Sequence, residues 1–271
     1  MIKSVLLHAN EDDAMDARLQ VALDVCRAMG AHLTCLHVTP YNAYVAFDPF
    51  GGVAMQATVL DGLRKIEAAL RARIESRLSN EDVSWDWSSG DGDVASTIIQ
   101  ASGLSDLIII SQYDKSESRL NKPLPIVDDV AVHASCAVLV VPTGVNQITI
   151  SDGAVIGWNA SPEAAHAIRA ATPLLQMASF VHISSVREDG ADYPQTMANA
   201  YLARHGIKSD LHELPGTDRN AAHVLHDFAM SKQANFLVIG AYGRSRFRET
   251  LLGGATHSLL STSKIPLLLA H

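Results

Sequence analysis

Ala234-Asn-Phe-Leu-Val-Ile-Gly240-Ala-Tyr-Gly243 is followed, nine residues later, by Gly253-Gly254-Ala-Thr256. The run from Phe236 to Ile239 is apolar and short, the length of a buried strand. Glycines then break the run, and a helical pattern resumes after the second glycine pair. A strand, a glycine-lined turn and a helix start together make a phosphate cradle. Glycine lets the backbone approach a ligand, and the unpaired N–H groups of the first helical turn face it with the positive end of the dipole.

Upstream, strand and helix patterns alternate. Residues 2–9, 31–38, 83–88, 107–110 and 137–141 read as strands, several of them continuously apolar. Residues 13–29 read as an amphipathic helix, with Ala14, Ala17, Val21, Val25 and Ala28 at three- and four-residue spacing. Further helices are expected at 56–78, 93–101 and 127–134, with a long aromatic connection over 40–52. Alternation of this kind belongs to a parallel sheet covered on both faces.

The pattern then restarts. Ala154-Val-Ile-Gly-Trp-Asn159 lies over Val5-Leu-Leu-His-Ala-Asn10, Phe180-Val-His-Ile183 over Cys35-Leu-His-Val38, and Leu237-Val-Ile-Gly240 over Ile108-Ile-Ile-Ser111. The interval from Ser111 to Ala137 equals that from Gly240 to Pro266, 26 positions. Two copies of one five-strand unit are expected, over residues 1–145 and 150–271. On this alignment Gly240, Gly243, Gly253 and Gly254 fall on Ser111, Asp114, Leu124 and Pro125, so the first copy has none of the cradle's glycines. Asp114 adds charge where phosphate would sit, and Pro125 removes a donor. The final strands of the two copies, residues 137–141 and 266–270, are short and apolar.

The 271 residues are 48% apolar and 18% charged, a composition that can bury real cores. A net charge of −8 argues against binding nucleic acid through its backbone. Three dispersed cysteines read as core residues in a reducing compartment, and no run of eighteen apolar residues predicts a membrane span, so a cytoplasmic protein is expected.

Gly240, two residues, Gly243, nine residues and Gly253, placed between a fourth strand and a last helix, resemble the mark of the universal stress protein family. The neighbouring Val238-Ile-Gly-Ala-Tyr-Gly-Arg-Ser-Arg246 and Ile265-Pro-Leu-Leu-Leu269 are similar to it too. The resemblance implies an α/β fold of two Rossmann-like, doubly wound domains, each with a five-stranded, mostly parallel sheet of the adenine nucleotide alpha hydrolase type. It implies a stress-response role and an ATP site, with or without Mg²⁺, in the second domain. It also implies that the last strands pair edge to edge, here between the two halves as an internal pseudo-dimer, with a further homodimer. Carried over residue by residue, Trp158, Asn159 and Ala160 would meet the nucleoside and the backbone at Ile183 the adenine. Gly240, Tyr242, Gly243 and Arg244 would line the phosphate turn, and Gly253, Gly254, Ala255 and Thr256 would donate at the helix start. Two positions depart from the family pattern: Asn159 stands for the usual Asp, and Gly254 for the usual Ser or Thr.

Bland readings stand beside these. His37 and His182 read as hydrogen-bonded core histidines, Trp158 as packing, and Glu11-Asp12-Asp13 as carboxylates favoured at a helix start rather than a metal site. No P-loop, GxSxG elbow or metal-ligand spacing is present, so no catalytic or metal-binding residue is assigned and at most slow ATP hydrolysis is expected. The alternative to a nucleotide-binding module is a nucleotide-independent interaction or small-ligand scaffold, in which the glycines serve turn geometry alone.

Overall fold

The computed structural model describes residues 1–40, 53–112, 126–187, 194–216, 221–241 and 255–271. The first half runs β1 (Ser4–His8), α1 (Met15–Met29), β2 (His32–Thr39), α2 (Val53–Leu78), β3 (Trp85–Asp91), α3 (Val94–Ala101), β4 (Leu107–Ser111), α4 (Val127–His133) and β5 (Ala137–Val141). The second half runs β6 (Ala154–Gly157), α5 (Pro162–Leu175), β7 (Val181–Val186), α6 (Gln195–Arg204), β8 (Asp210–Leu214), α7 (Ala221–Ser231), β9 (Phe236–Gly240), α8 (Ala255–Thr262) and β10 (Leu267–Ala270). The aromatic connection expected after Pro40 falls outside the described residues.

All ten strands join one sheet in the order β3-β2-β1-β4-β5-β10-β9-β6-β7-β8. Each five-strand half is parallel, and the halves meet at one antiparallel pair: Val138, Leu139 and Val140 of β5 lie opposite Leu269, Leu268 and Leu267 of β10. The pairing expected of the two last strands is therefore made within the chain. Each short apolar edge satisfies the other's backbone groups, which closes both against other chains.

Burial alternates along the strands and feeds two core layers. Val5, Leu7, Ile156 and Val238 pack with α1, α2, α5 and α6 on one face. Leu6, Val155, Leu237 and Ile239 pack with α3, α4, α7 and α8 on the other. Ser161 starts α5, its Oγ accepting from the Ala164 N–H at 3.1 Å just ahead of Pro162. Gly30 ends α1 in the left-handed conformation at φ 56°. Gly153 enters β6 at φ +148°, where an added Cβ would fall 2.4 Å from the Phe180 ring. Gly153→Ala is expected to lose about 1–3 kcal/mol in a denaturant titration, from strained φ and overpacking together.

The repeat register holds for two strand pairs and fails for one. Val5 pairs Leu107 as Ala154 pairs Phe236, and Val138 lies beside Ile108 as Leu267 lies beside Leu237, as the sequence comparison requires. In the second strands, however, Val5 pairs Leu33 while Ala154 pairs Val181. His182 thus corresponds to Thr34, not His37, and the expected match of the two histidines is corrected by three positions. A shared His-aliphatic pair misled the alignment; the spacing between paired residues differs by only one between the halves. Among the described residues, no helix is long and apolar enough to cross a membrane.

Candidate functional site

In an open parallel sheet the ligand crevice lies beyond the carboxyl ends of the strands, where the strand order reverses. In the second half that point is between β6 and β9, which are adjacent and parallel. Asn159 follows β6 and is exposed, its Oδ1 accepting from the Ser161 N–H at 3.2 Å. Ala160, between them, adopts φ 56°. Gly240 ends β9 with half-buried backbone, and Thr256 is buried in the first turn of α8. His271 ties the end of β10 down: its Nδ1 meets the Ala241 carbonyl at 2.9 Å, and its own carbonyl meets His166 Nδ1 of α5 at 3.1 Å.

Gly240 has a reason of its own to be glycine. A Cβ there would stand 2.5 Å from the Ala164 nitrogen and 2.7 Å from the Glu163 carbonyl carbon, both backbone atoms of α5's first turn. The helix start sits directly on the strand end. Glu163 contributes a carboxylate whose Oε2 is buried with no hydrogen-bond partner among the described residues. Sequence reading passed over it as an ordinary acid in a helix's first turn.

Two of the residues named for the nucleoside have buried side chains. Trp158 is 6% exposed and belongs to the core face of α5 and α6, packing as the blander reading held. Ile183 is wholly buried in mid-strand, three residues before the end of β7 at Val186. The expectation for Ile183 concerns its backbone, and β7 runs on from there to Val186. Tyr242, Gly243, Arg244, Gly253 and Gly254 lie outside the described residues, and Ala255 opens α8.

The equivalent corner of the first half is closed by a charged cluster. Arg18 is 0% exposed. Its Nη2 meets Asp12 Oδ2 at 3.2 Å, its Nη1 donates to Ser111 Oγ at 2.6 Å, and its Nε donates to the His8 carbonyl at 2.8 Å. Asp12 also accepts from the Ala14 N–H at 3.0 Å, so the acidic trio acts at the helix start and as the partner of Arg18. Counting from the paired strands, Met15, Arg18 and Ser111 correspond to Ala164, Ala167 and Gly240. Larger side chains hold α1 off β4 and fill the corner, whereas α5 settles onto β9. The sequence does carry a signal for this: Arg18 interrupts the apolar face of α1 six residues after Asp12.

His8, in the same cluster, is interior, and its Nε2 has no partner among the described residues. Burial first, then the charges of Arg18 and His37, hold its pKa well below the usual 6.5. Across the sheet His182 Nδ1 lies 3.1 Å from His212 Nε2. Burial lowers both of their pKa values, with Lys232 adding to each and Asp210 opposing. A group kept neutral by the fold takes its proton more readily in the unfolded chain, so its contribution is complete above the unfolded value and fades below it. The melting temperature is therefore expected to fall as pH drops from about 7 to about 5, and His8→Phe to flatten part of that slope.

Among the described residues, no group of three or more His, Cys, Asp or Glu side chains is placed to hold a metal ion. The Universal stress protein family profile matches residues 154–271. No curated protein matches the chain. A universal stress protein from Archaeoglobus fulgidus DSM 4304 superposes with a TM-score of 0.75 at 15% identity, over 98% of this chain and 96% of that one. A putative universal stress protein from Pseudomonas aeruginosa UCBPP-PA14 gives 0.60 at 17% identity, over 99% and 93%. A functionally unknown protein from Pseudomonas aeruginosa PAO1 gives 0.59 at 18%, over 99% and 92%. At these identities the likeness to the solved structures is one of fold.

Proposed function

The second half of this chain, residues 154–271, belongs to the universal stress protein family and the whole chain has the fold of a full-length member, and from that premise we propose that the crevice between β6 and β9 binds an adenine nucleotide, ATP first among them. The chain then acts as a regulatory binding module in a stress response, with its first half closed to nucleotide. The observation that carries this reading is the contrast between the two crevices. Where Arg18, Asp12 and Ser111 fill one, the other has Ala167, Ser161 and Gly240. Two helix starts, those of α5 and α8, follow the strands that flank it, and a helix start offers N–H groups to an anion. Asn159 keeps an exposed amide at the place a ribose hydroxyl would occupy.

Glu163 bears on the metal. A buried carboxylate oxygen without a partner is unfavourable beside a bare triphosphate but suits a nucleotide carrying Mg²⁺, which takes one or two carboxylates together with phosphate oxygens. Glu163 would hold such an ion; the ion would supply charge neutralisation of the phosphates.

A second reading, the nucleotide-independent scaffold, is favoured by one observation: α5 alone accounts for glycine at position 240. Calorimetric titration with ATP and Mg²⁺ separates the two. Saturable heat from the unmodified protein, lost in Gly243→Asp with an unchanged melting temperature, is the expected result. Absence of heat at millimolar ATP discards nucleotide binding and leaves the scaffold.

A further inference from the structure

On the opposite side of α5 from the sheet's first half lies a cavity of about 230 Å³, walled by Trp158, Ala165, Ile168, Met197, Ala198 and Tyr201, with Arg169 also lining it. It opens between α5 and α6. The first half differs at this place in its second helix. There α2 spans Val53–Leu78, whereas α6 spans only Gln195–Arg204. The last part of α2 packs on α1: Leu70 and Ile74 are buried, Arg73 pairs with Asp16 at 3.1 Å, and Arg77 donates to Gln20 at 2.6 Å. The positions equivalent to Asp16 and Gln20 are Ala165 and Arg169. The second half thus trades a packed, acidic seam for an open apolar one with a cation at its rim.

Three features define what fits. Trp158 and Tyr201 supply aromatic walls, and the Met197 thioether a polarisable one, surfaces that favour a ring. Arg169 is exposed and has no acidic partner among the described residues. The Trp158 indole N–H is buried without an acceptor among the described residues, a state that native interiors seldom leave uncompensated. We propose that this cavity is a second binding site, separate from the nucleotide crevice, for a small aromatic carboxylate whose ring packs between Trp158 and Tyr201 and whose carboxylate pairs with Arg169. The volume admits one ring with a short acid side chain, not a nucleotide. The cavity also reaches along α5 to Arg169, about 10 Å from the helix start at 1.5 Å per residue, whereas the atoms nearest Gly240 belong to residues 163 and 164.

The test is a titration of the full chain with phenylacetate and with its neutral counterpart 2-phenylethanol, followed by the indole N–H resonance of Trp158, which is assigned by its loss in Trp158→Phe. Phenylacetate is expected to shift that resonance saturably and to bind roughly tenfold more tightly than the alcohol, the worth of one charge-assisted pair at a rim. Arg169→Gln should bring the acid to the alcohol's affinity and leave the alcohol unchanged. Ala165→Trp, at a half-buried wall, should abolish both. Should that variant unfold by circular dichroism, the Arg169→Gln comparison decides alone. Saturating ATP should leave phenylacetate binding unchanged. No saturable shift at millimolar phenylacetate, equal affinity for acid and alcohol, or competition with ATP would each overturn the proposal. Absence of ATP binding itself would leave the cavity's result intact and count only against the nucleotide reading.

Discussion

Arg18→Ala is expected to destabilise the protein by about 3–5 kcal/mol, the range for leaving one partner of a buried ion pair alone. Arg18 and Asp12 side chains are each 1% exposed, so neither charge can fall back on water when the other is removed. The loss reaches further than the pair. Ser111 Oγ and the His8 carbonyl lose their donor, and the space vacated beneath α1 cannot be closed by a helix already spaced by Met15. A denaturant titration of the variant should show the lower midpoint. Arg18→Met with Asp12→Asn should recover most of the stability, because removing both charges leaves neither one stranded, while asparagine can still accept from the Ala14 N–H. A double mutant no more stable than Arg18→Ala would mean that packing, not charge, dominates the cluster.

Gly240→Val is expected to cost about 3 kcal/mol, the upper end for overpacking a core. The atoms in the way belong to the backbone of α5's first turn, so no rotamer change relieves the contact, and the helix itself must move. Gly240→Ala should cost less but show the same direction by chemical denaturation. Displacing α5 would also carry Asn159 and Glu163 away from the crevice. Loss of ATP binding in a Gly240 variant would therefore report on helix position as much as on ligand contact, which is why Gly243→Asp, the first half's own residue at the equivalent Asp114, is the probe chosen for nucleotide binding. A Gly240→Val protein as stable as the original would remove the packing explanation and return that glycine to the ligand.

The element pattern was legible because parallel strands buried on both faces must be continuously apolar, and Leu107–Ser111 and Ala137–Val141 are so in the letters themselves. The meeting of β5 and β10 came from the family resemblance, and its antiparallel direction only from the structure, where two short apolar edges cover each other. The register of β2 against β7 was not legible, because a one-residue difference in spacing leaves no mark that outweighs a chance match of His37 with His182.

Within the candidate site, sequence by itself determined that glycines stand at 240, 243, 253 and 254 in the second half and nowhere equivalent in the first, since spacing along a chain survives without coordinates. Only the tertiary structure decided why one of them is required and what fills the other crevice. Gly240 answers to a helix start 76 residues earlier in the chain, at Ala164, and Arg18 answers to Ser111, 93 residues later. Close approach of backbone to backbone and the burial of a paired charge are properties of space between elements, and no local pattern of residues encodes a distance across a sheet.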